Sequence, residues 1–595
     1  NIYKLYIKTT FNEVVFLLFL IHMKQLAIIG MGPRGLYALE QLLNALSNAK
    51  KIIGIYVFDA TSSPGTGNVW DKSQPDSNWI NITERALVGI ERRPKIKYSN
   101  QTIESFPSYH EWCQFSQNSD EPDTFPARNK LGNYLNARYK SLEIALKELD
   151  TFKFKKAEVK NINLKNEKLE IITNKGSWQC DDILLTIGHQ STTLSNQLQK
   201  WQWHVASHNS LTLFENAYPI TQLKSIRNNT NINIGIRGFG LAMIDVMRYL
   251  TINDFGNFKV INKDTFETIY YKSKVQDLKL IPFSLDGLPL VPKPLNEGID
   301  SWYKPTKEEL DSFKSEIEAV SHQTTETDTI DFLTHPIAKI ISRVYLDLKA
   351  NGISHTLSSS ELEAIILNWL NDDHYNHPLI QDSNSSTYQL IQNYIEMALG
   401  TIPVSLDYCI GQVWRHCQPT LYKAFSHAKV NNDVIEKVIA LDERSKRYSY
   451  GPPIKSMQQV LALVDADILT LNFVTDPDID LTAKGWTLKN SNKKPITCSV
   501  MINSVLDAPK LLEVNTPLIK DLLQNDLIQP IHSKLGIETT ADGYVITPKD
   551  KDDVPIAVLG RLAKGSVIGV DAILECFGPR IEDWAKAYVK RLNAN

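Results

Sequence analysis

The chain has no C-x-x-C pair. Its six cysteines, Cys113, Cys180, Cys409, Cys417, Cys498 and Cys576, are scattered through 595 residues. Neither a redox dithiol nor a zinc knuckle fits that spacing, and a reducing, cytoplasmic setting is expected. An excess of one charge is also missing: 64 Lys and Arg stand against 67 Asp and Glu, with no long run of either sign. That balance argues against nucleic acid and anionic membrane surfaces as partners and leaves a small molecule. Long apolar runs are absent too. The stretch Val14 to Ile21 in "NIYKLYIKTTFNEVVFLLFLIH" is far shorter than the roughly 20 residues of a spanning helix. It resembles a signal-peptide core behind Lys4 and Lys8, but no small-residue cleavage site follows. Residues 1–22 are therefore expected to be an upstream extension, with Met23 as the natural start and no stable membrane association.

What is present begins at once. The apolar run Leu26 to Ile29 feeds Gly30, Gly32 and Gly35 in "QLAIIGMGPRGLYALEQLL", which predicts a strand, a tight turn and a helix start. In such a turn the first glycine permits the bend and the second lets backbone approach a pyrophosphate. The third lets helix pack on strand, and the helix N-terminus offers N–H groups to the anion. The β-rich "KIIGIYVFDA" ends in Asp59, where an acid reaches ribose hydroxyls. Pro33 inside the turn, and the turn's position near the start of the chain, favour FAD over NAD, with Arg34 beside it as a further cofactor-binding candidate. A plain β-turn-α corner is the alternative. The loop "PGTGNVW", Pro64 to Trp70, has two readings: a glycine-rich cover for a flavin ring, or a surface turn with Trp70 buried.

A second strand-turn-helix occurs in "NINIGIRGFGLAMIDVMRYLT", with Gly238 and Gly240 but Met243 in the third place. Asp245 on the following helix is equally a functional carboxylate, a helix cap or a surface charge. Helical periodicity dominates from Thr306 to Asp465, and the tail returns to alternating segments with a final helix over Asp571 to Leu592.

The segments "GMGPRGLYALEQLL", "FPARNKLGNYL", "DDILLTIGHQ", "IRGFGLAMIDVMRYLT" and "VLGRLAKGSVIGVDAILECFG", in this order, resemble the FAD/NAD(P)-binding proteins related to flavin-dependent N-hydroxylating monooxygenases. The resemblance runs from Met23 almost to the C-terminus. It implies an α/β fold of two Rossmann-like dinucleotide-binding domains, for FAD and NAD(P)H, with a large inserted helical subdomain. The expected division is 23–230 and 466–595 for FAD, 231–305 for NAD(P)H and 306–465 for the helical part. It implies an oxidoreductase using FAD, NADPH (or NADH) and dioxygen. Such an enzyme hydroxylates an amine or amino acid through a flavin hydroperoxide. It places Gly188 of "LLTIGH" between the nucleotide sites, although Thr186-Ile187 replaces the family's Ala-Thr. It also places Gly569 and Val570 against the flavin, with Asp571 capping the last helix.

Several residues keep two readings. Arg128 and Lys130 hold a carboxylate or an FAD phosphate, or face solvent. Lys272 and Lys274 meet a 2′-phosphate, or are surface lysines. His189 lines the cofactor interface, or packs structurally. Asp372, Asp373, His374 and His377 sit in a turn-like segment that argues against a metal site, and none is expected. Cys409 and Cys417 are expected as buried thiols, and Leu288 to Gly298 as a rigid connector. Catalytic side chains stay unassigned. Two alternatives remain open: a flavoprotein reductase or dehydrogenase that does not use oxygen, and a degenerate nucleotide-binding scaffold, suggested by Met243 and Thr186-Ile187.

Overall fold

In the computed structural model, Gln25–Ile29 is buried at four of its five residues, as expected for the middle strand of a sheet covered on both faces. The structure describes residues 23–165, 167–228, 231–253, 255–273, 277–322, 327–372, 374–549 and 553–594. The expected extension, residues 1–22, lies outside them.

Two parallel sheets organise the α/β fold. Their strands are β1 (Gln25–Ile29), β2 (Gly54–Asp59), β3 (Phe152–Lys156), β4 (Asp182–Leu185), β5 (Thr212–Phe214), β6 (Ile232–Arg237), β7 (Leu278–Phe283), β8 (Val500–Asn503) and β9 (Ile556–Val558). The first sheet has the order β9-β4-β1-β2-β3 and the second β5-β8-β6-β7, with every pairing parallel. Parallel neighbours need a crossover, and α1 (Pro33–Ala49) supplies it between β1 and β2. Its face of Leu36, Leu39, Leu43 and Leu46 is wholly buried. A long helix, α2 (Arg128–Leu146), begins directly after the Pro126-Ala127 step. On the second sheet, α3 (Leu241–Thr251) follows β6.

The helical run is α4 (Lys307–Ser321), α5 (Asp331–Asp347), α6 (Ser359–Asn371), α7 (Thr387–Leu399), α8 (Leu406–Phe425), α9 (Asn432–Ser449) and α10 (Ile454–Asp465). Capping boxes at Thr306/Glu309 and Ser358/Glu361 start α4 and α6. One apolar core joins these helices to the second sheet, with Val344, Trp414 and Val438 in the same cluster as Ile234 and Ile236. The first sheet keeps separate cores on its two faces.

Sheet membership cuts across the boundaries expected at 230 and 466. β5 and β8 pair in the second sheet, and only β9 of the tail returns to the first. A small antiparallel sheet, Asp478–Thr482, Gly485–Asn490 and Lys493–Cys498, packs on the second sheet through Trp486 and Leu488 against Phe283 and Met501. The strands Gly256–Val260 and Thr268–Lys272 form a separate antiparallel pair, so β6 is flanked by β7 instead. The last helix, α11 (Pro579–Ala594), starts beyond Asp571, with Pro579 as its first residue. Among the described residues no helix is long and apolar enough to cross a membrane.

Candidate functional site

The first glycine turn is built by close approach. Gly30 has φ +96°, and a Cβ there would lie 2.7 Å from the Thr186 carbonyl oxygen. At Gly35 a Cβ would lie 2.2 Å from the Gly30 oxygen, so only glycine lets α1 seat this tightly. Gly32 is the N-cap of α1, Pro33 its first residue, and no side chain caps it. The first N–H groups and the positive end of the helix dipole therefore have no side-chain acceptor, an arrangement suited to an anion. Asp59, buried at the end of β2, accepts the Met31 N–H (2.5 Å) and the Thr61 N–H (2.6 Å). The Pro64 to Trp70 loop lies on this turn: the Gly65 N–H donates to the Met31 oxygen (2.6 Å), and Gly67 faces Gly32.

At the end of β4, the Thr186 hydroxyl donates to the Gly30 oxygen (2.5 Å). Ile187 has no hydroxyl to offer, and Thr186, one residue earlier, supplies the bond to the turn. Gly188 has φ +67° and open space where a Cβ would stand, while His189 is exposed. Arg34 reaches the C-terminal loop, donating to the Val570 oxygen (3.2 Å) and packing on Gly560. Gly569, at φ +79°, lies against the Tyr422 ring of α8. Asp571 does not cap a helix. It pairs with Lys446 of α9 (2.9 Å) and Arg561 (3.0 Å). Burial pushes its carboxyl up, but Lys446, Arg561 and Lys564 outweigh that and hold it below the usual range.

The second turn is looser. Gly238 has φ +113° and a Cβ there would meet Ser504 Oγ at 2.6 Å, whereas at Gly240 nothing lies within 4 Å. Gly240 is the N-cap of α3, again without a side-chain cap. Asp245 is 2% exposed, so the surface-charge reading fails. It pairs with Arg128 of the first unit (2.6 Å) and accepts the Tyr218 hydroxyl (2.5 Å). Burial raises the Asp245 carboxyl, and Arg128 and Tyr218 work against that shift. Arg128 thus ties α2 to α3 of the second sheet, and Lys130 pairs with Glu84 (2.6 Å). Lys272 stands on the antiparallel pair away from the glycine turns, its ammonium on Asp277. Lys274 lies outside the described residues.

A cleft of about 790 Å3 opens between the second turn and the helices, with Arg237, Gly238 and Gly240 on one side and Tyr394, Arg447 and Tyr450 on the other. Its α9 wall also carries Lys446, the partner of Asp571, which links it to the Val570 loop. The Asn81 amide, from the first unit, donates to the Tyr450 oxygen (3.0 Å). Sequence reasoning missed Lys446, Arg447 and Tyr450. Their "SKRYSYGPP" context has no motif spacing, and only the fold brings it to the glycines. In the Asp372 to His377 turn, Asp372 accepts the His374 N–H (2.9 Å) and His377 Nδ1 accepts the Leu379 N–H (3.2 Å). Asp373 is outside the described residues, among which no group of three metal-ligating side chains occurs. Cys409 and Cys417 are buried and unpaired on α8.

Residues 27–190, which contain the first turn and β4, match the family model described as FAD-NAD(P)-binding. The matched segment holds the first glycine turn, whose helix start carries no side-chain cap and suits a dinucleotide phosphate. Over 569 residues, 88% of this chain and 84% of the relative, it is 22% identical to a nitrosuccinic acid synthase of Aspergillus oryzae. Two solved structures are similar over 96% of this chain and 99% of their own. They are an L-lysine 6-monooxygenase from Pseudomonas syringae (12% identity, TM-score 0.44) and a reduced ornithine hydroxylase from Pseudomonas aeruginosa (10%, 0.43).

Proposed function

We propose that the protein is an FAD-dependent monooxygenase that uses NADPH, or NADH, and dioxygen to oxygenate the nitrogen of an amine or amino acid. The observation that carries this reading is the pairing of the glycine turns. Each stands at the C-terminal end of a strand inside its own parallel sheet and opens an uncapped helix, and Arg128 and Asp245 tie the two units at 2.6 Å. The FAD unit is 23–230 without β5, completed by the tail around β9. The NAD(P)H unit is 231–305 with β5 and β8. The helices of 306–465 shape the substrate side of the cleft.

The residues fit both cofactors. Space a Cβ would fill at Gly188 and Gly240 is left open, and two uncapped helix starts await phosphate. Gly30, Gly32, Pro33, Arg34 and Gly35 would hold the FAD pyrophosphate and Asp59 the ribose. Gly188, Gly569 and Val570 would approach the ring, and Gly238 and Gly240 would take the NAD(P)H phosphates. When bound, the flavin supplies the hydride acceptor and the oxygen-activating chemistry. The chain binds and aligns the two cofactors, excludes water and orients the amine. With no C-x-x-C pair, it has no dithiol relay to carry electrons elsewhere. The nitrosuccinic acid for which the Aspergillus oryzae relative is named carries an oxidised nitrogen, which supports nitrogen as the atom attacked.

The test is a visible spectrum during anaerobic NADPH titration, followed by oxygen and a panel of amines and amino acids. Flavin bleaching and an amine-dependent N-oxygenated product are expected. Bleaching with no such product would assign a reductase, and a protein that takes up no FAD would be a scaffold.

A further inference from the structure

A second cavity, of about 410 Å3, shares no lining residue with the cleft. Its walls come from five segments distant in sequence: Trp79, Asp123, Lys263, Lys293 of the connector, and Lys455 at the start of α10. They are strongly one-sided in charge. Asp123 is the single carboxylate among the lining residues, and Arg85 already holds both of its oxygens (2.9 and 2.8 Å). Three lysines remain. Lys293 is 7% exposed, and its ammonium meets one backbone carbonyl, that of Gly451, at 2.6 Å. Lys455 lies 5.1 Å from the centre of the Trp79 ring, and the Arg248 guanidinium lies 3.8 Å from the same ring. Arg248, itself 3% exposed, donates only to the neutral Gln459 and Ser456 side chains.

Among the described residues none of Lys263, Lys293, Lys455 and Arg248 makes an ion pair. The carboxylates that act on them at a distance, Asp123 and Asp300 on Lys293 and Asp245 on Arg248, are already paired with arginines, and cations gathered in a partly dry space with so little counter-charge are costly. Burial accordingly drives Lys293 well below the usual lysine range, and burial with the nearby Arg248 lowers Lys455. The start of α10 adds to the same field, for Pro453 is its N-cap and no side chain caps it. The missing component is a compact ligand of more than one negative charge. A volume of about 410 Å3 lies within the range of small-molecule sites, roughly 300–1,000 Å3.

We propose that this cavity binds a small phosphate-bearing anion, at a site separate from both glycine turns. Ammonium groups carried on flexible stems suit phosphate as point charges. The site joins Trp79, the connector and α10, and lies beside the Arg128–Asp245 pair, since Arg128 donates to the Trp79 oxygen (3.3 Å) and Arg248 stacks on the Trp79 ring. Free inorganic phosphate and a phosphorylated metabolite present the same chemistry.

The test is isothermal titration of the FAD-loaded protein, held in excess NADP+, with inorganic pyrophosphate, inorganic phosphate and ribose 5-phosphate. Saturable pyrophosphate binding is expected. It should weaken about tenfold in Lys455→Gln and about threefold in Lys263→Gln, as lost charge-assisted contacts imply. Lys263 is exposed and Lys455 half-buried, and an unchanged flavin spectrum verifies that the variants are folded. Ribose 5-phosphate binding tighter than inorganic phosphate assigns the site to a metabolite, and the reverse order to the free ion. Absence of saturable pyrophosphate binding, or equal binding in the double variant Lys263→Gln/Lys455→Gln, would overturn the proposal. Because both lysines lie outside the glycine turns, this outcome does not depend on whether the monooxygenase reading holds.

Discussion

At the first glycine turn Gly35 lies so near Gly30 that a Cβ would fall 2.2 Å from its oxygen; at the second, Met243 stands in the matching place and is itself 2% exposed. The consequence is visible in the helices that follow. α1 has one buried face and a polar one, whereas every residue of α3 from Ala242 to Thr251 is buried. The first helix is placed by its own turn. The second, with a buried methionine in the third position, is placed by what encloses it: Asp245 reaches Arg128 of α2, and Arg248 reaches Ser456 and Gln459 on α10. Two turns of similar sequence are thus specified at different levels, one locally and one by tertiary contact.

That contrast breaks most sharply at Gly35. Gly35→Ala forces its Cβ into the Gly30 carbonyl and to 2.8 Å from the Thr186 hydroxyl. A loss of about 4–5 kcal/mol is expected, the tail of single-residue effects, and the protein should purify without flavin colour. The next effect is at Arg128. Arg128→Met leaves Asp245 buried without its cation, at a cost of about 3–5 kcal/mol, whereas Arg128→Met/Asp245→Leu should recover most of it. Denaturant midpoints check both variants. A double variant no better than the single one would mean that α3 is not held by this pair.

The same division explains what was legible in the sequence. Gly30, Gly32 and Gly35 are a local signal, since spacing, strand and helix lie within one short stretch. The helical run to Asp465 is likewise carried by its own periodicity. The partner of Arg128 is not, because nothing near "FPARNKLG" names Asp245, and both residues were read as separate charges. β5 and β8 are three and four residues long, too short for periodicity to assign them to a sheet, so the expected boundaries at 230 and 466 missed their exchange. Asp571 looks like an N-cap in sequence, but Lys446 and Arg561 claim it, and Gly578-Pro579 mark the true start of α11. Lys272 closes a strand of a separate antiparallel pair, and β7 rather than that strand lies beside β6.

Smaller effects sharpen the comparison within each turn. Gly238 sits at φ +113° with Ser504 Oγ at 2.6 Å from a built Cβ, so Gly238→Ala should cost about 1–3 kcal/mol in strain. Gly240 has ordinary φ and open space around a Cβ. Gly240→Ala should leave the denaturant midpoint unchanged while weakening NADPH, because the added methyl occupies space reserved for the cofactor; equal NADPH affinity in both proteins would move the dinucleotide away from this turn. The smallest effect is at Thr186, whose hydroxyl holds the Gly30 oxygen at 2.5 Å. Thr186→Val keeps the shape and removes one hydrogen bond, worth about 1 kcal/mol, and should weaken FAD by about fivefold, the same energy expressed as an affinity. Thr186→Ser retains the donor and should hold FAD as the parent does. If serine and valine release flavin alike, the threonine serves by packing alone, and the first turn rests on its glycines without help from β4.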